Sequence, residues 1–268
     1  HSEVTAYAQD PVLNRPLRIN THFVAGMEMN RFLYESGNTR EDCAAVVVKN
    51  RRNALSNPSA SYGADLSIDD ILHGPPLSWP LGYRETAKHA DGAIVMVLAS
   101  EKTARYLTEK PVWILGIGWA NGSASLEFRN WGNCEYLRKA ARMAYNQARI
   151  DNPMKVVDFA EIDDSYAYKE LQTLEALGFC RPGKAGSLTA SGFTKPEGDL
   201  PVNISGGSLG WGNLLDATGL ARTLEVVLQL RGEAGSRQLD DIRIGLAQSW
   251  RGVPTTSSAI AILSNRGG

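Results

Sequence analysis

Three loops hold the polar residues of this sequence that are best placed to do chemistry. The first, EIDDSYAY from Glu161, sets Asp163, Asp164, Ser165 and Tyr166 between an apolar run and a helical pattern. Carboxylates and a hydroxyl at such a junction either cap the helix or hold and move protons, and a phenol adds a further acid. The second, SGGSLGWGNLLDATG from Ser205, is rich in glycine. Gly206, Gly207 and Gly212 permit tight backbone turns beside a ligand, Trp211 can line a pocket, and Asn213 can donate a hydrogen bond but cannot take a proton near neutral pH. The third, QSWRGV from Gln248, ends an apolar run with Ser249 and Trp250. Neither Gln248 nor Ser249 titrates near pH 7, so this end offers a polar terminus or a hydrogen bond in place of a general base.

Other chemistry-bearing residues lie outside these loops. Lys49, Arg51 and Arg52 form a basic patch on one predicted helix, which reads first as a solvated face. His22, His73 and His89 read as surface or capping histidines. Cys43, Cys134 and Cys180 are odd in number, form no C-x-x-C pair and have no histidine at ligand spacing. That pattern argues against a disulfide framework and against a zinc site, and it fits a reducing cytosol.

The elements that must position the loops follow from periodicity. Helical spacing in Phe23, Met27, Met29, Phe32 and Leu33 ends at Gly37, and a second helix starts at Thr39 with Glu41 and Asp42 in its first turn. A short acidic helix follows over 67–72. The apolar run AIVMVLAS from Ala93 suits a strand buried on both faces, and VWILGIGWA after Pro111 suits another. Between them lies a helix over 101–107, and the break around Glu109, Lys110 and Pro111 is the expected boundary between a domain over 1–110 and one over 111–268. Beyond it come a helix over 134–150, a strand over 156–162, a helix over 166–177, a helix over 218–230 and the strands IRIGLAQSW and SAIAILS. This alternation predicts an α/β fold with helices covering a mostly parallel sheet, and the short RGVPTT connection predicts an antiparallel hairpin for the last two strands.

Composition excludes several classes. A net charge of -1 spread along the chain gives no basic stripe for nucleic acid. The longest apolar runs are strand-length and fall far short of the roughly 20 residues that cross a bilayer, so a soluble, cytoplasmic protein is expected.

Taken in order, TREDCAAVVVKNRRNALSNP from Thr39, EIDDSYAYKELQTLEALGF from Glu161, PVNISGGSLGWGNLLDATGLAR from Pro201, QLRGEAGSRQ from Gln229 and the closing GLAQSWRGVPTTSSAIAIL resemble the thiolase superfamily, in particular its sterol-carrier-protein branch. The resemblance implies two related α/β halves whose sheets sandwich helices, with the first half incomplete here. It implies that the front of the first half, with the helix start carrying the nucleophilic cysteine, lies outside these residues. None of the three cysteines matches that position.

The resemblance also assigns the loops. Asp163 stands where the family places an Asn or His that holds an oxyanion, and an ionised Asp163 would repel one. Tyr166 stands for a Phe. Asn213 and Leu214 replace the His-Pro of the glycine loop, so general-base function is lost there while oxyanion stabilisation survives. Ser249, one residue from Gln248, replaces the catalytic acid/base. Gly206, Gly207, Gly212, Trp211 and Trp250 are the expected substrate and coenzyme A contacts, and Lys49, Arg51 and Arg52 are possible contacts for its phosphates. The implied activity is acyl transfer that makes or breaks a carbon–carbon bond beside a coenzyme A thioester. The alternatives are retro-aldol cleavage of a β-hydroxyacyl-CoA, of the steroid side-chain aldolase type, and a non-catalytic scaffold that binds coenzyme A esters. No cofactor or metal is implied beyond the thioester substrate. The implied partners are a second copy of the chain and a small OB-fold subunit that binds acyl-CoA.

Overall fold

A computed structural model describes residue 7 and residues 9–123, 125–252 and 256–267. Helices α1 (Thr21–Ser36), α2 (Arg40–Asn53) and α3 (Ile68–Leu72), a ribbon of β1 (Pro76–Ser78) and β2 (Leu81–Gly82), and α4 (Glu101–Leu107) come first. They are followed by β3 (Trp113–Asn121), α5 (Glu135–Ala148), α6 (Pro153–Val156), β4 (Phe159–Glu161), α7 (Ala167–Ala176), α8 (Ala185–Ala190) and α9 (Gly207–Gly210). Helix α10 (Thr218–Arg231) and strands β5 (Ile244–Arg251) and β6 (Ser257–Ser264) close the chain.

Local signals fix the helix ends. Gly37 ends α1 in the left-handed conformation at φ 72°, which costs a glycine little. Thr39 and Asp42 form a reciprocal capping box at the start of α2, and Ser67 and Asp70 do the same for α3.

The main sheet has the order β3-β6-β5-β4. Its hairpin β5–β6 is antiparallel as the short connection predicts, with residues 253–255 of that loop outside the described residues. The β3–β6 pair is antiparallel too, and only β4–β5 is parallel, so the sheet is mixed and not mostly parallel. Alternating side chains serve two layers. Leu246, Ile260 and Ile262 join the main core, whereas Ala247 and Leu263 pack with Phe159 under Val226 and Leu230 of α10. The main core runs from Ala25 of α1 to Ile262 of β6, so residues on both sides of position 110 build it.

Two apolar runs behave differently from their pattern. Residues 93–99 form no strand, and Val95, Val97 and Leu98 are 88%, 83% and 79% exposed. Apolar continuity records a preference for burial, but a strand also needs a neighbour to pair its backbone, and no described residue provides one. Strand β3 does form, at the sheet edge, with Ile114, Ile117 and Trp119 exposed in place of the expected burial on both faces. The strand expected over 156–162 shortens to the three residues of β4, because Pro153–Val156 turns helical.

Helix α5 lies directly on β3 and β6. A Cβ at Gly116 would run into the carbonyl of Ala144 and one at Gly118 into that of Ala140, so the glycines let helix and strand backbones approach. Gly118→Val should therefore destabilise the fold by about 1–3 kcal/mol or more in urea unfolding, as overpacking against rigid backbone does. A substitution at the unobstructed Gly232 to Asn, which tolerates its φ of 71°, should cost far less.

Candidate active site

One short strip of backbone assembles the site. Ala87 N donates to Ser165 O at 2.9 Å, Asn213 N to Lys88 O at 2.8 Å, and Ala90 N to Asn213 O at 3.1 Å. Residues 86–90 thus bridge the turn before α7 and the glycine loop before α10, a span of about 13 Å for extended chain.

At the first end stands Tyr166, the residue that precedes α7. It is 9% exposed. Its hydroxyl lies 3.4 Å from His22 Nδ1 of α1, a long hydrogen bond, and the two rings meet edge to face. Burial pushes the phenol up to about 12. Burial also lowers His22, with the nearby His89 adding to the effect, so the imidazole is neutral at neutral pH and can accept a proton. Trp250 meets the Tyr166 ring edge-on at 6.3 Å.

At the other end Asn213 pairs with His89 across the strip. Its amide oxygen accepts from Leu215 N at 3.0 Å and from Thr218 Oγ1 at 3.2 Å. The NH₂ is therefore the part of the side chain left to meet a ligand. Ser249 sits beside the first turn of α10, where a Cβ on Gly219 would come within 3.2 Å of its hydroxyl.

Beneath these residues lies a buried polar web. Asp163 is 1% exposed, and its carboxylate accepts from Arg222 Nη1 at 2.8 Å and from Ser165 N at 2.9 Å. The expected repulsion of an oxyanion by Asp163 is therefore countered: the charge is paired with Arg222 and turned into the interior. Asp164 accepts from Ser208 N at 2.6 Å, Leu209 N at 3.1 Å and Asn50 Nδ2 at 2.8 Å. Burial pushes it up to about 6 against the pull of Arg222. Neither aspartate caps α7, whose N-cap is Tyr166 with no side-chain bond. Arg222 also reaches Ser208 Oγ at 2.7 Å and Ser249 Oγ at 3.5 Å. Deeper still, Glu161 accepts from Ser205 N and Oγ at 3.0 and 2.5 Å, and burial together with Glu225 raises it to about 8.

The other expected contacts divide. A side chain at Gly206 would strike Ala54 and one at Gly207 the Asp164 carboxylate, so both glycines, at φ 99° and 57°, serve close packing against protein and not an open ligand surface. Gly212, at φ 125°, packs against Ala90 and Tyr62 in the same way. Trp211 is half-buried, and its carbonyl accepts from Ser61 N. Lys49 points inward to Val202 O and Glu170, and Arg51 holds Tyr62 O, so neither offers its charge to a phosphate; Arg52 pairs with Asp65 at the surface. His73 caps α3, as a capping histidine should. Cys43 and Cys134 are buried with their thiols raised by burial, and Cys180 follows the far end of α7, about 15 Å of helix from Tyr166. A cleft of about 790 Å³ runs along α2 past Thr189 and Leu239 and is separate from this site. No group of metal ligands is found among the described residues, and no described helix is long and apolar enough to cross a membrane.

Sequence reasoning passed over His22, His89 and Arg222. Their partners lie far along the chain, and no local pattern marks them, although Arg222 closes the ATGLAR motif.

A mixed sheet between helix layers, with a polar cluster gathered where β4 and β5 end, is the frame of the site. The chain matches the thiolase C-terminal domain-like family over residues 121–265, more than half its length, and belongs to that family. It is 34% identical over 233 residues to the acetyl-CoA acetyltransferase of Methanothermobacter thermautotrophicus, covering 87% of this chain and 60% of that one. It is 29% identical over 217 residues to the benzoylsuccinyl-CoA thiolase subunit BbsB of Thauera aromatica, covering 81% and 56%. Rabbit (Oryctolagus cuniculus) sterol carrier protein 2 matches at 32% identity over 216 residues, covering 78% and 39%. The chain thus spans well under two thirds of the length of these relatives. Among solved structures, an Ltp2-ChsH2(DUF35) aldolase superposes with a TM-score of 0.82 at 25% identity, covering all of this chain and 69% of that one.

Removing Arg222 strands two carboxylates in the interior. Arg222→Met should cost about 3–5 kcal/mol in chemical denaturation, as breaking a buried pair does. Glu161 binds its proton more tightly folded, at about 8, than at its ordinary value of 4.5. Its contribution is therefore full below pH 4.5 and is lost as pH rises through 8. Glu161→Gln should raise Tm relative to the parent increasingly between pH 5 and pH 9 in thermal scans, by about 2–4 °C per kcal/mol regained.

Proposed function

We propose that this chain cleaves, or in reverse forms, the bond between the α and β carbons of a β-hydroxyacyl-CoA, as a retro-aldol lyase. The observation that carries the reading is the contact between the Tyr166 hydroxyl and neutral His22, in a site whose other candidate side chains, Asn213 and Ser249, do not titrate near neutral pH. The likeness to a structure named as an aldolase supports it.

The residues fit each step. The β-hydroxyl proton passes to the Tyr166 oxygen as the tyrosine's own proton moves to His22 Nδ1. The β carbon becomes a carbonyl, its bond to the α carbon breaks, and the electron pair forms the enolate of the remaining acyl thioester. Tyr166 relays the proton without persisting as a phenolate, which its raised pKa disfavours. The Asn213 NH₂ donates to the enolate oxygen. His22 then returns its proton through Tyr166 to the α carbon.

Acyl transfer is the second reading, supported by the acetyl-CoA acetyltransferase at 34% identity. It needs a thiolate at the site, and the thiols of Cys43 and Cys134 are buried and pushed up by burial. We further propose a homodimer working in the cytoplasm with a small OB-fold partner that binds acyl-CoA, and with the thioester as substrate and no cofactor. The relative named as a subunit and the two-component aldolase support an assembly.

Turnover of a panel of β-hydroxyacyl-CoA esters tests the reading. Tyr166→Phe and His22→Gln should each lower kcat by about 10²–10⁴-fold with binding retained. The acid limb of the kcat/KM profile should lie below the ordinary histidine value of about 6.5, since activity needs His22 neutral. Full turnover in Tyr166→Phe would sink the lyase reading, and an acyl adduct on a cysteine in intact-mass spectra would favour acyl transfer.

A further inference from the structure

Helix α7 buries a lysine in an aromatic box. Lys169 is 2% exposed, and its ammonium donates to Glu28 Oε1 of α1 at 2.6 Å and to Gln172 Oε1 at 2.8 Å. The side of the ammonium left over meets the face of Trp250, whose ring centre is 4.4 Å from Nζ. Glu28 is equally buried, and its other oxygen accepts from the Tyr168 hydroxyl at 3.1 Å. Tyr168 stacks on Tyr166 with centres 6.1 Å apart, and Trp250 meets Tyr166 edge-on. The contacts close a ring: Glu28, Lys169, Trp250, Tyr166, Tyr168 and Glu28 again.

Stability alone does not account for this arrangement. A buried ion pair is often no more stabilising than well-packed apolar residues of the same volume. The indole, moreover, has no hydrogen bond among the described residues, for Trp250 Nε1 is buried without a partner there. The lysine on its face and the tyrosine at its edge help to orient it, beside Gly252 and the main core. Helix α1 carries both His22 and Glu28, so the helix that presents the imidazole also clamps the lysine.

We propose that Lys169 is a positioning residue: anchored by Glu28, it fixes the Trp250 indole, which holds the Tyr166 ring where its hydroxyl meets His22. The catalytic consequence rests on the lyase reading above, whereas the geometry does not.

Titration of the full chain with ¹³C-labelled histidine separates the two. His22→Gln assigns the resonance, and His73, which caps α3 away from the box, serves as internal control. In the charge-balanced double variant Lys169→Met/Glu28→Met and in Trp250→Leu, Tyr166 is released and water enters, so the His22 titration should move measurably up toward its ordinary value. His73 should not move. With β-hydroxyacyl-CoA substrates, kcat should fall about 10- to 100-fold while KM stays within about twofold. An unchanged His22 titration in Trp250→Leu, or in the folded double variant, overturns the proposal. If the double variant does not fold, Trp250→Leu decides alone, because it leaves the ion pair in place. If the parent shows no lyase activity, the functional reading fails while the titration still decides this one.

Discussion

The Arg222 guanidinium, fully buried in α10, directs its donors to three other chain segments: the Asp163–Asp164 turn after β4, Ser208 in α9, and the end of β5 at Gln248 O and Ser249 Oγ. Each of these segments carries or borders a residue of the site. A planar fork is suited to such a task because it fixes direction as well as distance. Asp164 extends the web to Asn50 of α2, which also donates to Glu170 of α7 at 2.7 Å. Helices α2, α7 and α10 are thereby tied to one another through polar groups, and the apolar core closes around that tie.

The same web explains how acidic residues are tolerated beside the site proposed for an anionic intermediate. Asp163 faces inward onto a cation, Asp164 is surrounded by donors, and Glu225 is held by Arg237 at 2.8 Å. What reaches the surface layer is the neutral part: a phenol, an imidazole, an amide and a hydroxyl. Buried charge sets the geometry, and uncharged groups are what the proposed reaction draws on. The division has a cost, because the interior holds more carboxylates than cations and Glu161 is driven to keep its proton.

The helices were legible in the sequence because their signals are local. Gly37, Thr39 with Asp42, and Ser67 with Asp70 each mark an end within a few residues. The three loops that carry Tyr166, Asn213 and Ser249 were legible for the same reason. What the sequence hid depends on distant partners. The run over 93–99 reads as a strand by composition, yet pairing is a property of two segments and not of one. Sheet direction, too, depends on which strands become neighbours, which is why one parallel pair stands beside two antiparallel ones. His22 looked peripheral because Tyr166 lies 144 residues away, and Arg222 looked like an ordinary helical arginine until Asp163 was placed against it.

The anchored amide of Asn213 has a chemical polarity. Leu215 N and Thr218 Oγ1 occupy its oxygen, so the group cannot rotate end for end without losing the bond from Leu215 N, which can only donate. An unanchored asparagine greets donors and acceptors alike; this one presents hydrogen alone. A molecule offering a carbonyl or enolate oxygen at that place is welcomed, while one offering an ammonium or amide N–H meets a donor and leaves both unsatisfied. The backbone turn that begins α10 thus sets the sign of the hydrogen bond this side chain offers.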